Sequence, residues 1–186
     1  MDNGASSYRR FRVEGDKNAF VEIIRDYKDG LIFYLVSIVG NIGLAEELAE
    51  DTFFLLATRK PRDKESASFK TWLYTIGRNV ALDYLRKKSK HGEVPIDEYE
   101  TIVREMNQVE SEYLKKERQI MVHKAMQTLS AEYRQALWLV FFEEMNIEEA
   151  ARVMKKGHRS FEAILYRAKK QLRTQLESEG FIYEEL

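Results

Sequence analysis

The chain has 186 residues, 44% of them hydrophobic, enough for a packed core and too many for a chain that stays unfolded throughout. It contains no cysteine, which excludes disulfides and thiolate-bound metals. The formal net charge of −1 conceals opposed blocks of charge, so the local balance carries the information.

The opening residues, MDNGASSYRRFRVEGDKNAF, lack the apolar stretch of a secretory signal. Apolar runs such as Leu31–Val36 fall well short of the ~20 residues a spanning helix needs. A soluble cytoplasmic protein with no membrane insertion is therefore expected. With only two prolines, Pro61 and Pro95, and no sustained apolar–polar alternation, the fold class is all-α: two small helical domains joined by an acidic linker. Residues 1–17 read as a mobile extension.

From Asn18, the residues Phe20, Ile23, Ile24, Tyr27, Leu31, Tyr34, Leu35 and Ile38 follow the three-and-four rhythm of a long helix. Gly40-Asn41-Ile42-Gly43 stops it, because glycine accepts the left-handed conformation that ends helices. A second helix, Leu44–Arg59, carries Glu46, Glu47, Glu50 and Asp51 early, where the helix dipole favours acids, and Lys60-Pro61 breaks it. The polar loop Lys60–Ala67 follows, and Ser68 can cap the next helix.

That helix lies within SASFKTWLYTIGRNVALDYLRKKSK, Ser66–Lys90. Phe69, Trp72, Leu73, Ile76 and Val80 make an apolar stripe fit for a core. Thr75, Arg78, Asn79 and Arg86 share a second, polar arc. Lys70, Arg78, Arg86, Lys87, Lys88 and Lys90 face a single acid, Asp83, so the helix suits a polyanion lying along it. Arg78 and Asn79 are of the types that pair with base edges or phosphate.

Residues 91–112 invert the balance, with Glu93, Asp97, Glu98, Glu100, Glu105, Glu110 and Glu112 against Arg104 alone. This composition predicts a linker between a domain over 18–90 and another over 113–179, with a short tail at 180–186. In the second domain one helix carries Ile120, Val122, Ala125, Met126 and Leu129. Ser130 can cap the next, whose Tyr133, Ala136, Leu137, Leu139, Val140, Phe141 and Phe142 imply central burial. Asn146 caps the short helix Ile147–Met154, with Glu149 placed to reach back.

After the turn Lys155–His158, a last helix runs from about Arg159 to Glu177. Short helix, tight turn with glycine and longer basic helix form a helix-turn-helix pattern. Phe161, Ile164, Leu165, Ala168 and Leu172 should face the core. On the opposite arc Arg159, Glu162, Ala163, Tyr166 and Arg167 are placed to read bases, and Lys169, Lys170 and Arg173 to grip phosphate. No enzyme is expected. His91, His123 and His158 are isolated, no glycine-rich phosphate loop occurs, and the Glu-Glu pairs read as surface acids on amphipathic helices, so no metal or cofactor is called for.

In this order the pieces resemble the extracytoplasmic-function (ECF) sigma factors of the bacterial sigma-70 family. SFKTWLYTIGRNVALDYLRKK, Ser68–Lys88, is similar to the region-two signature. AEELAEDTFF, Ala45–Phe54, resembles the preceding core-binding helix, and NIEEAARVM with ILYRAKKQL resembles the region-four helix-turn-helix. The resemblance implies a transcription initiation factor that binds core RNA polymerase and takes it to promoter DNA. Glu46, Glu47, Glu50 and Asp51 would hold the β′ clamp helices, and the second domain would meet the β flap. The loop Thr58–Ala67 with Arg62 and Lys64, together with Thr75, Arg78, Asn79 and Arg86, would capture and melt the minus-ten element.

The last helix, through the residues just named and Ser160, would read the minus-thirty-five element. The acidic linker would thread toward the polymerase active centre, and a cognate anti-sigma factor would be a further partner. The chain departs from the family pattern at Glu162, Ala163 and Ile164, where a basic residue, a small hydroxyl and an arginine are frequent, so an unusual minus-thirty-five sequence is expected. Glu50 stands where glutamine is common, a change compatible with a basic partner. Two other classes remain open on the residues alone: a helix-turn-helix regulator acting without being a polymerase subunit, and a helical adaptor with no DNA role.

Overall fold

The computed structural model describes residues 3–62, 67–90 and 122–178, and every element among them is helical. Helix α1, Asn3–Arg9, runs into π-helical turns at Arg10–Glu14 and ends on Gly15 in the left-handed conformation. Helix α2 spans Lys17–Val39, α3 Ile42–Arg59 and α4 Phe69–Lys90. The second lobe holds α5 at 122–127, α6 Ala131–Leu137, α7 Ile147–Val153 and α8 His158–Ser178. The acidic segment 91–112 lies outside the described residues.

Helix ends follow local chemistry. Asp16 caps α2 by accepting from the N–H groups of Asn18 and Ala19, and Gly40 closes it at φ 75°. Asn41 caps α3, which thus begins two residues before the Leu44 start read from the sequence. Lys60 ends α3 at φ 42°, a left-handed conformation unusual for a side-chain-bearing residue. Ser68 Oγ accepts from the Thr71 N–H at 3.3 Å, as a cap for α4 should. Asn146 and Glu149 form the reciprocal capping box of α7.

The first lobe packs α2, α3 and α4 around Ile23, Leu31, Leu35, Leu48, Phe53, Leu56, Phe69 and Leu73, all buried. Each such side chain contributes roughly 1.5–3 kcal/mol of transfer free energy. Gly77 lets α4 approach closely, since a Cβ there would lie 2.8 Å from Leu31 Cδ1. The apolar stripe of α4 is core, as its spacing implies: Phe69 and Leu73 are fully buried, and Trp72, Ile76 and Val80 pack against them partly covered.

The expectation of a mobile start is not met. Residues 3–14 are helical and packed on α2 and α4. The sequence hid this because only Tyr8, Phe11 and Val13 are large apolar residues there, and Val13 is exposed. Tyr8 is 2% exposed, with its ring 5.6 Å from Phe69 and 5.1 Å from Trp72, and its hydroxyl donates to the Pro61 carbonyl at 2.7 Å. Arg10 ties the segment to Asp16 and Glu22.

The second lobe centres on Ala136, Leu137, Leu139, Val153, Met154, Phe161, Ile164, Leu165 and Ala168. Burial of its central helix is only partial, against expectation. After Leu137 the chain widens into π-helical turns over Trp138–Phe142, closed by the Glu143 N–H on the Trp138 carbonyl. The extra residue per turn rotates Phe141 and Phe142 outward, to 53% and 43% exposure. The two lobes pack on each other, α4 against α7 and α2 against α6.

Candidate nucleic-acid and polymerase surfaces

Four carboxylates on α3, Glu46, Glu47, Glu50 and Asp51, are all exposed. Phe54, one turn further on, is 68% exposed beside them while its neighbour Phe53 is buried. Phe54 follows Phe53 by about 100° of helix rotation, which carries it off the buried stripe and out beside the acids. The result is an apolar knob with an acidic collar, a combination suited to docking a basic protein surface.

The last helix separates its two faces as its spacing implies. Phe161, Ile164, Leu165 and Ala168 are buried, and Leu172 is half-buried. Arg159, Ser160, Glu162, Ala163, Tyr166, Arg167, Lys169, Lys170 and Arg173 are all exposed. Glu162 Oε2 lies 3.2 Å from His158 Nδ1. Arg167 donates from Nε to the Ala163 carbonyl, Lys169 lies over the Phe141 ring, and Arg173 pairs with Glu177. The turn before α8 is made by Lys155 at φ 53°, not by Gly157, whose surroundings leave room for a Cβ. The glycine therefore marks the turn without being what bends it.

The polar arc of α4 is not a free surface. Arg62 and Arg86 are exposed, the latter paired with Asp83 at 2.8 Å, and Lys64 lies outside the described residues. Thr75, Arg78 and Asn79 are half-buried. Thr75 donates to the Thr71 carbonyl at 2.7 Å, and Arg78 Nε donates to Gln135 Oε1 of α6 at 3.1 Å. Gln135, 5% exposed, also lies 3.5 Å from the Tyr34 hydroxyl.

Beside that contact sits Glu143, and here the reading of the Glu-Glu pairs as surface acids fails. Glu143 is 9% exposed. Its carboxylate takes the Tyr74 hydroxyl at 2.6 Å, Lys70 Nζ at 2.8 Å and the Trp138 indole N–H at 3.2 Å. Lys70 also donates to the Glu143 carbonyl. Gly30 of α2 makes the space, since a Cβ there would stand 2.5 Å from the Tyr74 hydroxyl and 3.0 Å from Glu143 Oε1. Burial and the adjacent carboxylate hold the Tyr74 phenol far above its ordinary range, so it stays a donor. Nothing local in the sequence marks this cluster, because its members come from α2, α4 and the loop after α6.

Among the described residues no group of three or more His, Asp or Glu could hold a metal ion, and no helix is long and apolar enough to cross a membrane. A helical lobe with an exposed acidic face, packed on a lobe whose exposed basic helix follows a short helix and a tight turn, has the two-module, helix-turn-helix build of a DNA-binding protein. The chain belongs to the sigma-70 family, as a member of the ECF type: it matches Sigma-70 region 2 over residues 23–91 and Sigma-70, region 4 over residues 119–172. It is 29% identical to the ECF RNA polymerase sigma factor SigM of Bacillus subtilis, covering 82% of this chain and 91% of that protein. To the SigW factor of the same organism it is 25% identical, covering 88% and 91%. In fold it is similar to the sigma factor RpoE solved with the anti-sigma factor NepR from Bartonella quintana, with a TM-score of 0.66, 23% identity, and coverage of 85% of this chain and 96% of that one.

Proposed function

We propose that this chain binds the core RNA polymerase of bacteria in the cytoplasm, carries it to promoters and assists their melting, while catalysing no covalent step itself. In this reading Glu46, Glu47, Glu50 and Asp51 meet the basic β′ clamp helices, with Phe54 as the apolar anchor among them. Arg62, Lys64, Thr75, Arg78, Asn79 and Arg86 engage the minus-ten element. Extruding a base from the stack costs a few kcal/mol, which polar contacts from Asn79 and the loop before α4 would offset.

Arg159, Ser160, Glu162, Ala163, Tyr166 and Arg167 enter the major groove of the minus-thirty-five element, and Lys169, Lys170 and Arg173 hold its phosphates. The second lobe also meets the β flap, and the relatives' association with anti-sigma factors extends to a partner of that kind for this chain. The observation that supports the reading best is the pairing of an exposed acidic knob on α3 with an exposed basic reading face on α8 in one family member. Run-off transcription on genomic fragments with bacterial core polymerase tests it. Discrete transcripts are expected only when the protein is added; no transcripts and no co-elution with the polymerase would overturn it.

A further inference from the structure

We infer that the N-terminal segment, residues 3–14, is a positioning element for minus-ten recognition: Tyr8 ties the stem Lys60–Arg62 to the first turn of α4 and so aims Arg62. The inference rests on the reading of Arg62 and α4 as minus-ten residues. The segment itself lies ahead of residues 23–91, the span that matches Sigma-70 region 2. The Tyr8 ring stands 5.6 Å from Phe69 and 5.1 Å from Trp72, both in the first turn of α4. Its hydroxyl donates to the Pro61 carbonyl at 2.7 Å, just past the end of α3. One rigid side chain thus joins the two ends of the α3–α4 connection. A peptide is planar, so holding the Pro61 carbonyl fixes the plane from which Arg62 departs. The pyrrolidine ring already restricts φ at Pro61. Arg62 itself is exposed.

The stem is held against its own preferences. Lys60 sits at φ 42°, ψ 51°, where a side chain is disfavoured and where the following proline would push it toward extended backbone. Such conformations persist only when their surroundings over-determine them, and they gather at sites that grip ligands. Here the segment supplies a second hold, with Lys60 Nζ 4.8 Å from the centre of the Phe11 ring. The segment is anchored in turn on the body of the lobe. Arg10 pairs with Asp16 and Glu22, and Ser7 Oγ donates to Glu22 at 2.9 Å. Gly4 lies so close to α4 that a Cβ there would stand 2.5 Å from Phe69 Cδ1. Packing alone would be met by phenylalanine at position 8. The tyrosine hydroxyl adds a directional constraint, and it is aimed at the stem.

The chain has no native cysteine, so Arg62→Cys carries a single spin label beside Pro61. Tyr8→Phe removes the hydroxyl and keeps the ring, while Gly4→Ala drives a methyl group against Phe69 and loosens the segment from its other end. With helicity retained by circular dichroism, both should raise the ratio of mobile to immobile label. For Tyr8→Phe the rise should be about fivefold, the factor that one hydrogen bond of ordinary strength is worth. The unlabelled variants, with Arg62 intact, are then joined to bacterial core polymerase. They transcribe a promoter found by run-off, randomised either at the minus-ten or at the minus-thirty-five element. Preference among minus-ten sequences should flatten by up to the same factor, and preference at minus-thirty-five should stay as in the wild type.

Unchanged label mobility in both variants overturns the positioning. A yield that falls alike for every sequence, with the minus-ten preference intact, overturns the role in recognition, since lost folded protein would do the same. Wild-type protein that yields no transcripts overturns the sigma-factor reading instead, and the label then still decides whether Tyr8 holds the stem.

Discussion

Truncating Tyr8 to alanine tests the docked N-terminal segment directly. The ring is 2% exposed, touches Phe11, Phe69 and Trp72 with centroids 6.4, 5.6 and 5.1 Å away, and anchors a hydroxyl on Pro61. Emptying a buried aromatic site of this kind costs about 3–5 kcal/mol. Tyr8→Phe keeps the ring contacts and loses one hydrogen bond, about 1 kcal/mol. The larger loss has a ceiling, because residues 3–14 can detach from α2 and α4 rather than tolerate a cavity.

The double comparison exploits that ceiling. Urea unfolding followed by circular dichroism should place Tyr8→Ala close to a chain lacking residues 1–14, and Tyr8→Phe close to wild type. A fall for Tyr8→Ala within the ±0.5 kcal/mol of an ordinary surface change would refute the reasoning.

Arg167→Ala should weaken promoter binding by the polymerase complex by about 1–3 kcal/mol if the side chain reaches a base, measured by electrophoretic shift at fixed salt. Glu162→Lys should redirect the minus-thirty-five sequence recovered in a selection from randomised sites, since glutamate accepts from cytosine and repels phosphate; identical recovered sites would sink that role. Asn79→Ala should impair opening with duplex recruitment intact, and normal permanganate reactivity of minus-ten thymines would count against it. His123 packs on Trp138 and Phe142, and burial holds its imidazole below the ordinary value near 6.5. Its folded-state depression means stability is fully present above that value and declines as pH falls through it toward the lower folded pKa. His123→Phe should flatten the loss of unfolding free energy between about pH 7 and pH 5 relative to wild type.

What the sequence disclosed was local. Periodicity located α2, α3, α4 and α8, and cap chemistry located ends of α2, α4 and α7: Gly40, Ser68, Asn146 and Glu149 each act as their residue types imply. The two faces of α8 were legible because a strongly amphipathic helix has one way to sit on a core. What escaped was non-local. Tyr8 lies more than 50 residues from Pro61, and Tyr74 lies 69 residues from Glu143. No window of sequence contains either pair, so Glu143 passed for a surface acid and the first residues for a loose end. The outward turn of Phe141 and Phe142 was hidden for another reason: one π-helical residue changes the phase of a pattern that is otherwise read at 3.6 residues per turn.

The span between Tyr8 and its partners also bears on how the protein is made. On the ribosome, the first segment is synthesised long before Phe69 and Trp72 exist to receive it, so it must wait, exposed, while some sixty further residues are added. The first lobe is then completed well before Glu143 emerges. Every newborn copy thus passes through a period in which α4 is finished while its contacts with the second lobe, Lys70 and Tyr74 on Glu143 among them, are still unmade.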